Sequence, residues 1–226
     1  MCCNKAQVKL LIMISVIPAK VKVLVIAPHP DDETLCCGGI LARHVERGDD
    51  VRVLIVTDGR YGAPTPELYG TDQLVRTRIE ESRKATSKLG IPWENLVFMN
   101  FEDSRIKVLK AEVEVKIKEV LNRLKPDLIY SPLPYDNHGD HSELGRIMVK
   151  LAPHSRFYLI WIPNSVNKRI ELMKLKTWQK IEILIEKYRK NKIDALMEYR
   201  SQLGGFNEEF LRRFTRKSET FYVRST

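Results

Sequence analysis

A short polar cluster directly follows an apolar run early in the chain and has the composition of a metal-dependent catalytic site. Residues 27–33 read Ala-Pro-His-Pro-Asp-Asp-Glu, which places His29, Asp31, Asp32 and Glu33 within five residues. Metal ions that activate water bind neutral imidazole and carboxylate ligands and need a free base nearby. The cluster supplies these groups but lacks one of the protein ligands that such a site requires.

A second cluster supplies the missing ligand. Residues 136–141 read Asp-Asn-His-Gly-Asp-His and follow another apolar stretch at 127–130. The chain has five histidines, and three of them, His29, His138 and His141, fall in the two clusters. His29, Asp32 and His141 would form a set of two histidines and one carboxylate that leaves a coordination position for water.

Each cluster alone also has a simpler explanation. The first fits a proline turn whose aspartate caps a helix, and the second fits a polar loop before a helix. Glu33 lies in a first helical turn, where the helix dipole alone favours an acid. Two such clusters, each after a predicted strand, favour a catalytic site over two unrelated turns.

The two clusters resemble the paired motifs of the LmbE-like / PIG-L superfamily of zinc-dependent N-acetylglucosamine deacetylases. That family usually has Ala-His-Pro-Asp-Asp-Glu and His-Pro-Asp-His, whereas here Pro28 precedes the first histidine and Gly139 replaces the second proline. Neither change alters a side chain that does chemistry. Weaker similarities extend over most of the chain, at residues 57–59, 78–90, 195–202 and 219–221.

The resemblance implies roles for individual residues. One zinc ion per chain would be held by His29, Asp32 and His141, and Asp31 would be the general base for hydrolysis of an N-acetyl group by metal-activated water. His138 would stabilise the oxyanion or act as general acid. Asp140 would either orient His138 and raise the pKa of that ring, or cap the next helix. Arg78 would bind a sugar hydroxyl.

The elements that position these residues alternate along the chain. This alternation predicts an α/β fold, a Rossmann-like three-layer α/β/α arrangement with a mostly parallel sheet. No Gly-x-Gly-x-x-Gly follows the first strand, so a dinucleotide cofactor is not expected. The predicted strands are 21–27, 51–57, 95–100, 127–131, 156–161 and 169–175, and the predicted helices are 33–47, 72–89, 110–124, 141–151 and 177–202.

The length predicts one catalytic domain at 21–226, preceded by an N-terminal extension at 1–20. The apolar run at 10–17 is too short to span a bilayer, so no membrane span is expected. The four cysteines are two adjacent pairs, Cys2-Cys3 and Cys36-Cys37, which favours reduced thiols and a cytoplasmic location. The sequence leaves a homo-oligomer open.

The net charge of +9 is concentrated in the last part of the chain, where residues 164–226 carry 15 Lys or Arg against 8 Asp or Glu. No nucleic-acid-binding module accompanies these residues, so no nucleic acid is expected as a partner. The lysines between 180 and 192 alternate with isoleucine, leucine and tyrosine. We interpret this pattern as the solvated face of a helix packed on the core.

The predicted function is zinc-dependent removal of an acetyl group from a small N-acetylglucosamine-type amino sugar. One alternative is a related metal-dependent amidase acting on another amide, such as a thiol-sugar conjugate, which would differ in the loops 58–71 and 132–137. A non-catalytic carbohydrate-binding or nucleic-acid-binding protein is the other alternative. It would be expected to have lost the base or a ligand, and neither is lost here.

Overall fold

The computed structural model describes residues 20–162 and 173–224. Strands and helices alternate through the first range, as the sequence predicts. They are β1 Lys22–Ala27, α1 Asp32–Glu46, β2 Asp50–Thr57, α2 Asp72–Lys88, β3 Leu96–Phe101, α3 Lys110–Leu124, β4 Leu128–Pro132, α4 Gly139–Leu151 and β5 Arg156–Tyr158. The second range contains β6 Trp178–Leu184, α5 Arg189–Leu196, α6 Arg200–Leu203, α7 Glu208–Phe214 and β7 Ser218–Arg224.

The strands form one sheet in the order β3-β2-β1-β4-β5-β7-β6. The first five are parallel, and β7 and β6 add an antiparallel edge. β2 and β3 extend the sheet on one side of β1, and β4 and the later strands extend it on the other. The topological switch point, where open α/β sheets bind ligands, therefore lies between the carboxyl ends of β1 and β4. The two polar clusters follow these two strands.

Both faces of the sheet are covered, which confirms the predicted three-layer arrangement. Successive residues of β1 alternate between two buried clusters, so that Val25 belongs to one and Ile26 to the other. The first cluster includes Ile40 of α1, and the second includes Ile117 of α3 and Ile147 of α4. A strand buried on both faces must be apolar at nearly every position, which explains the run that made β1 recognisable.

The region after β5 differs from the prediction. The helix expected at 177–202 is wrong, because residues 178–184 form β6 and the helical residues follow in α5 and α6. Ile181 and Ile183 are half-buried while their neighbours are exposed, which is the period-two pattern of an edge strand. The strand expected at 169–175 lies mostly outside the described residues, and Lys174–Thr177 form a short 3-10 turn.

Cys36 and Cys37 are free and buried within α1, whereas the predicted extension at 1–20 and its two cysteines lie outside the described residues except for Lys20. None of the helices in the described ranges has the length and apolar character needed to cross a lipid bilayer. Several basic residues of the C-terminal part are neutralised by local ion pairs, namely Lys187 with Glu46, Lys217 with Glu186 and Arg212 with Glu208.

A buried ion pair ties the C-terminal part to α1. Lys192 Nζ lies 2.7 Å from Oε1 of Glu219, and both side chains are almost fully excluded from solvent. The Glu219 carboxylate also accepts hydrogen bonds from the backbone N–H groups of Gly39 and Ile40, at 2.8 and 2.9 Å. The pair thus joins α5 and β7 to the helix whose first turn carries Asp32.

Candidate metal centre and active site

Three side-chain atoms from the two polar clusters converge at the switch point. His29 Nδ1 lies 3.1 Å from His141 Nε2 and 3.2 Å from Asp32 Oδ2, and His141 Nε2 lies 3.2 Å from the same oxygen. The three side chains are buried. The structure therefore brings together the three residues predicted to ligate a metal, although they come from loops far apart in the chain.

This arrangement fits a divalent metal ion. Ligands at zinc–nitrogen and zinc–oxygen distances in a tetrahedral shell are about 3.3 Å apart, close to the separations found here. The two imidazole nitrogens point at one another and at the same carboxylate oxygen. This arrangement is unfavourable without a shared cation, because a neutral imidazole has an N–H on only one of its two nitrogens. The open side of the trio faces His138, one of whose ring nitrogens lies within 4.8 Å of ligand atoms of His29 and His141.

Carboxylates lie beside the other ring nitrogen of both imidazoles, within hydrogen-bond distance and geometry for His29 and at a longer ion-pair distance for His141. His29 Nε2 lies 3.1 Å from Asp103 Oδ1 and 3.4 Å from Asp140 Oδ2. His141 Nδ1 lies 3.5 Å from Asp136 Oδ2. Such outer carboxylates fix the tautomer and orientation of metal-binding histidines.

The same carboxylates set the protonation of the metal-free centre. Burial disfavours charge on the rings, but the surrounding carboxylates outweigh it, so the pKa of His29 is well above its ordinary value and that of His141 is raised to about 9. Metal binding would therefore release protons from the two rings.

Asp31 is adjacent to Asp32, the predicted ligand, but points to a different partner. Its carboxylate Oδ2 accepts a hydrogen bond from Arg78 Nη2 at 3.0 Å. Burial raises the pKa of Asp31 to about 8, although the Arg78 charge opposes this shift. The backbone of Asp31 has φ of 127°, a conformation that side chains other than glycine rarely adopt. Glu33 supports it, since its Oε2 accepts from the Asp31 N–H at 3.1 Å.

Arg78, the residue predicted to bind a sugar hydroxyl, lines a cavity together with the predicted metal ligands and is also bonded to Asp31. Its guanidinium is buried and donates to Asp31 and to the carbonyls of Pro30 and Gly59. Gly59 has φ of 66°, and a Cβ there would lie 2.7 Å from Arg78 Nη1. The geometry therefore gives Arg78 a role in positioning Asp31, and direct contact of Arg78 with a sugar hydroxyl stays a prediction.

Asp140 does not contact His138, and it does not cap α4. Its carboxylate accepts from the backbone N–H groups of Ser104 and Ile106, at 2.7 and 3.1 Å, and lies beside His29. The helix begins at Gly139 with His138 at the N-cap position and no side-chain capping bond. Because the Asp140 carboxylate is bonded to these two N–H groups and lies beside His29, the prediction that it orients His138 is wrong.

The surroundings of His138 shift its pKa in the direction opposite to the expected one. Burial and the neighbouring charges of His29 and His141 lower the pKa of His138 to about 4, instead of raising it. Its Nδ1 is buried and has no hydrogen-bond partner among the described residues. A neutral imidazole at this position can donate a hydrogen bond, and the role of His138 as general acid stays a prediction.

A cavity of about 160 Å³ opens beside His29, Asp32 and His141, the three predicted metal ligands. The residues that line it include Asp31, Asp103, His138, Tyr61 and Trp161. Asp103 and Asp136 have roles that the sequence analysis missed. Asp136 lies in the second cluster and could have been considered, whereas Asp103 follows β3 and becomes adjacent to His29 only through the order of the strands.

The fold, with a group of histidines and a carboxylate at the switch point that could hold a metal ion, defines a class of α/β proteins. A family model described as PIG-L, GlcNAc-PI de-N-acetylase, matches residues 24–152, and the chain belongs to this family. The match covers more than half of the chain and includes both polar clusters.

Curated relatives agree with this assignment. A diacetylchitobiose deacetylase from Thermococcus kodakarensis is 33% identical over 127 residues, which cover 55% of this chain and 46% of the relative. A probable N-acetyl-alpha-D-glucosaminyl L-malate deacetylase of Bacillus anthracis is 26% identical over 202 residues, or 85% of this chain and 86% of the relative. The chain thus matches less than half of the first of these relatives and most of the second.

A solved structure shows the same fold. The N,N'-diacetylchitobiose deacetylase from Pyrococcus horikoshii superimposes with a TM-score of 0.69 and 22% sequence identity, covering 91% of this chain and 85% of that chain. At this identity the similarity establishes the fold and not the substrate.

Proposed function

We propose that this protein is a zinc-dependent N-deacetylase that removes the acetyl group from a small amino sugar of the N-acetylglucosamine type. The observation that carries the proposal is the convergence of His29, Asp32 and His141 within 3.2 Å of one another, beside a buried carboxylate that is not part of the trio. The names of the two curated relatives support the substrate class.

A bound zinc ion would polarise the acetamide carbonyl and lower the pKa of a water molecule. Asp31 is positioned by Arg78 and Glu33 to take the proton from that water as its oxygen attacks the carbonyl carbon. Asp31 then delivers the proton to the amine nitrogen as the carbon–nitrogen bond breaks, so that acetate and a free amino sugar leave. His138 borders the same cavity and can donate a hydrogen bond to the carbonyl oxygen as negative charge develops on it.

The experiment is acetate release from a panel of N-acetylated amino sugars, including N-acetylglucosamine. It uses the zinc-loaded protein, the same protein after chelation, and the chelated protein after zinc is restored. Activity should be lost on chelation and regained with zinc. A thiol-sugar conjugate in the panel tests the alternative amidase, since cleavage of that conjugate without acetate release from any N-acetylated sugar would contradict the proposed substrate class.

Asp31→Asn tests the base. The amide has nearly the same shape, so the variant should retain zinc and lose hydrolysis by roughly 100-fold or more. Asp72→Asn is the matched control, because Asp72 is 78% exposed on α2 and makes only a long 3.7 Å contact with Arg60. Loss of zinc from Asp31→Asn would make Asp31 a ligand and not the base.

A further inference from the structure

A second cavity, of about 320 Å³, lies at the antiparallel edge of the sheet. Residues of β6, β7 and α7 line this edge cavity, together with Leu35 and Cys36 of α1. Among the described residues it shares Leu35 alone with the cavity beside the predicted metal ligands, so the two cavities adjoin without merging. The proposed chemistry of acetyl removal uses no group of the edge cavity.

The edge cavity opens where β5 and β7 separate. The register of these two antiparallel strands has one pair, Phe157 with Tyr222. Leu159, which follows β5, and Thr220, two residues before Tyr222, both line the cavity. Leu159 packs on the buried cluster of one face of the sheet, and Cys36 belongs to the buried cluster of the other face. The cavity therefore reaches both faces of the sheet at this gap.

One of the residues that line the edge cavity is a fully buried lysine. Lys192 is 1% exposed, and within the described ranges its ammonium donates to one partner, Glu219 Oε1 at 2.7 Å. An ammonium has three N–H donors, so two of them remain for another acceptor. Buried polar groups normally have their hydrogen bonds satisfied, and an anionic ligand in the cavity would satisfy these two.

Two arginines add positive charge to the edge cavity. Arg213 of α7 donates one hydrogen bond, to the carbonyl of Ile160 at 2.9 Å, and its guanidinium lies 5.1 Å from the centre of the Phe214 ring. Arg216 follows α7 and lines the same cavity. Burial lowers the pKa of Arg213, and the like charge of Arg216 acts in the same direction. A negatively charged ligand would relieve this repulsion.

The carboxylates of the edge cavity are already paired. Glu219 pairs with Lys192 at 2.7 Å, and Glu182 pairs with Lys180 at 2.5 Å. Neither of the two arginines forms an ion pair with a carboxylate of the described residues. The described side chains that line the cavity therefore have an excess of two positive charges, which favours an anion as the ligand.

The number of donors and their origins favour a phosphate group over a carboxylate. A carboxylate is planar and has two oxygens, whereas a phosphate monoester has three acceptor oxygens and a charge of about −1.5 to −2 at pH 7. The donors come from several elements and comprise the lysine ammonium, the two guanidinium groups and the hydroxyl groups of Ser218 and Thr220. The volume lies at the lower end of the range of small-molecule sites, so the phosphate can carry a small organic group.

We infer that the edge cavity is a binding site for a phosphate group, bound by Lys192, Arg213 and Arg216, and that its ligand is separate from the amino-sugar substrate. A small phosphate monoester and free inorganic phosphate are the two ligands that share this chemistry. The inference does not rest on the proposed deacetylase function, because no residue assigned to that reaction lines the edge cavity.

The test is isothermal titration calorimetry of the zinc-loaded full chain with glycerol 3-phosphate, inorganic phosphate and glycerol, at constant ionic strength. Glycerol 3-phosphate should bind saturably with a dissociation constant of about 1 mM or lower, and glycerol should give no saturable binding in this range. If inorganic phosphate binds in this range and glycerol 3-phosphate does not, the site is confirmed and its ligand is free phosphate.

Three variants assign the binding to the edge cavity. Arg216→Gln should weaken binding of the tighter phosphate by roughly 10-fold, the cost of losing one hydrogen bond to a charged group. Arg216→Lys keeps the charge and should recover part of this loss. Arg212→Gln is the matched control, because Arg212 lies on α7, is 73% exposed, pairs with Glu208 and does not line the cavity. It removes the same net charge and should change the dissociation constant by less than about 2-fold, since salt screens exposed charges.

The other outcomes overturn the inference. Absence of saturable binding by either phosphate would mean that the chain itself balances the charges of the two arginines. Equal affinity in the wild type and in Arg216→Gln would place the bound phosphate elsewhere, such as at the metal centre. Equal losses in Arg212→Gln and Arg216→Gln would show an effect of net charge and not of this cavity. Since none of these measurements reads acetate release, the proposed function is tested separately.

Discussion

Replacing Glu219 by glutamine should destabilise the protein strongly, although the two side chains are nearly the same size. Oε1 of Glu219 accepts from Lys192 and from the Gly39 N–H, and Oε2 accepts from the Ile40 N–H. A glutamine amide has one oxygen, so its NH₂ group must face one of these donors. The buried ammonium of Lys192 also loses its counter-charge.

The expected magnitude follows from the burial of the pair. Removing one partner of a buried ion pair costs about 3–5 kcal/mol, a large part of the roughly 5–15 kcal/mol that stabilises a typical domain. For a chain of this size the thermal midpoint should fall by about 6–20 °C. Adding Lys192→Met to Glu219→Gln should show a coupling energy of about 0.5–3 kcal/mol, because the second change removes the uncompensated charge.

The assay is thermal and urea unfolding followed by circular dichroism, with Glu182→Gln as the matched control. Glu182 pairs with Lys180 on the surface, where both side chains are 55% exposed, and its replacement should leave the thermal midpoint nearly unchanged. A Glu219→Gln variant that unfolds together with the control would refute the argument that this pair anchors α1.

Three further predictions concern the site and its surroundings. Arg78→Met should lower kcat by about 10–100-fold with KM little changed, because it misplaces Asp31, whereas a residue that binds a sugar hydroxyl would mainly raise KM. His138→Ala should retain zinc and lower kcat by about 100-fold, the usual cost of losing an oxyanion donor, and unchanged turnover would exclude His138 from the reaction. Burial lowers the pKa of His44 in the folded protein despite its bond to Asp49. As the pH falls below about 6.5, His44 therefore binds a proton in the unfolded chain before it does so in the folded one, and the free energy of unfolding declines. The urea midpoint should therefore fall more between pH 7.5 and 5 in the wild type than in His44→Gln, and identical slopes would contradict the assignment.

The parallel part of the sheet could be predicted from the sequence because its strands are buried on both faces. β1 and β2 are nearly continuous apolar runs. The helix between them is followed by Gly48, which has φ of 78°. The edge strand β6 could not be predicted as easily. Its residues alternate with a period of two over only seven positions, and Leu184 and Ile185 break the pattern at its end, so the same residues also resemble a helical face.

The metal ligands could be predicted because their residue types and their positions after strands are local features of the sequence. Their supports could not be predicted in the same way. Asp103 follows β3, which is two strands away from β1 in the sheet, and its contact with His29 depends on how the loops close over the switch point. Arg78 and Asp140 have the residue types expected of a site, but their directions depend on tertiary packing that spacing does not encode.

The most direct test of the account is the metal content of the purified protein and of its ligand variants, measured by elemental analysis together with X-ray absorption at the zinc edge. The account predicts about one zinc ion per chain with nitrogen and oxygen ligands and no sulfur, and loss of the metal in Asp32→Ala and in His141→Ala. Asp31→Asn should retain it and serves as the control. Full zinc occupancy in both Asp32→Ala and His141→Ala would contradict the central claim that these residues and His29 hold the catalytic metal.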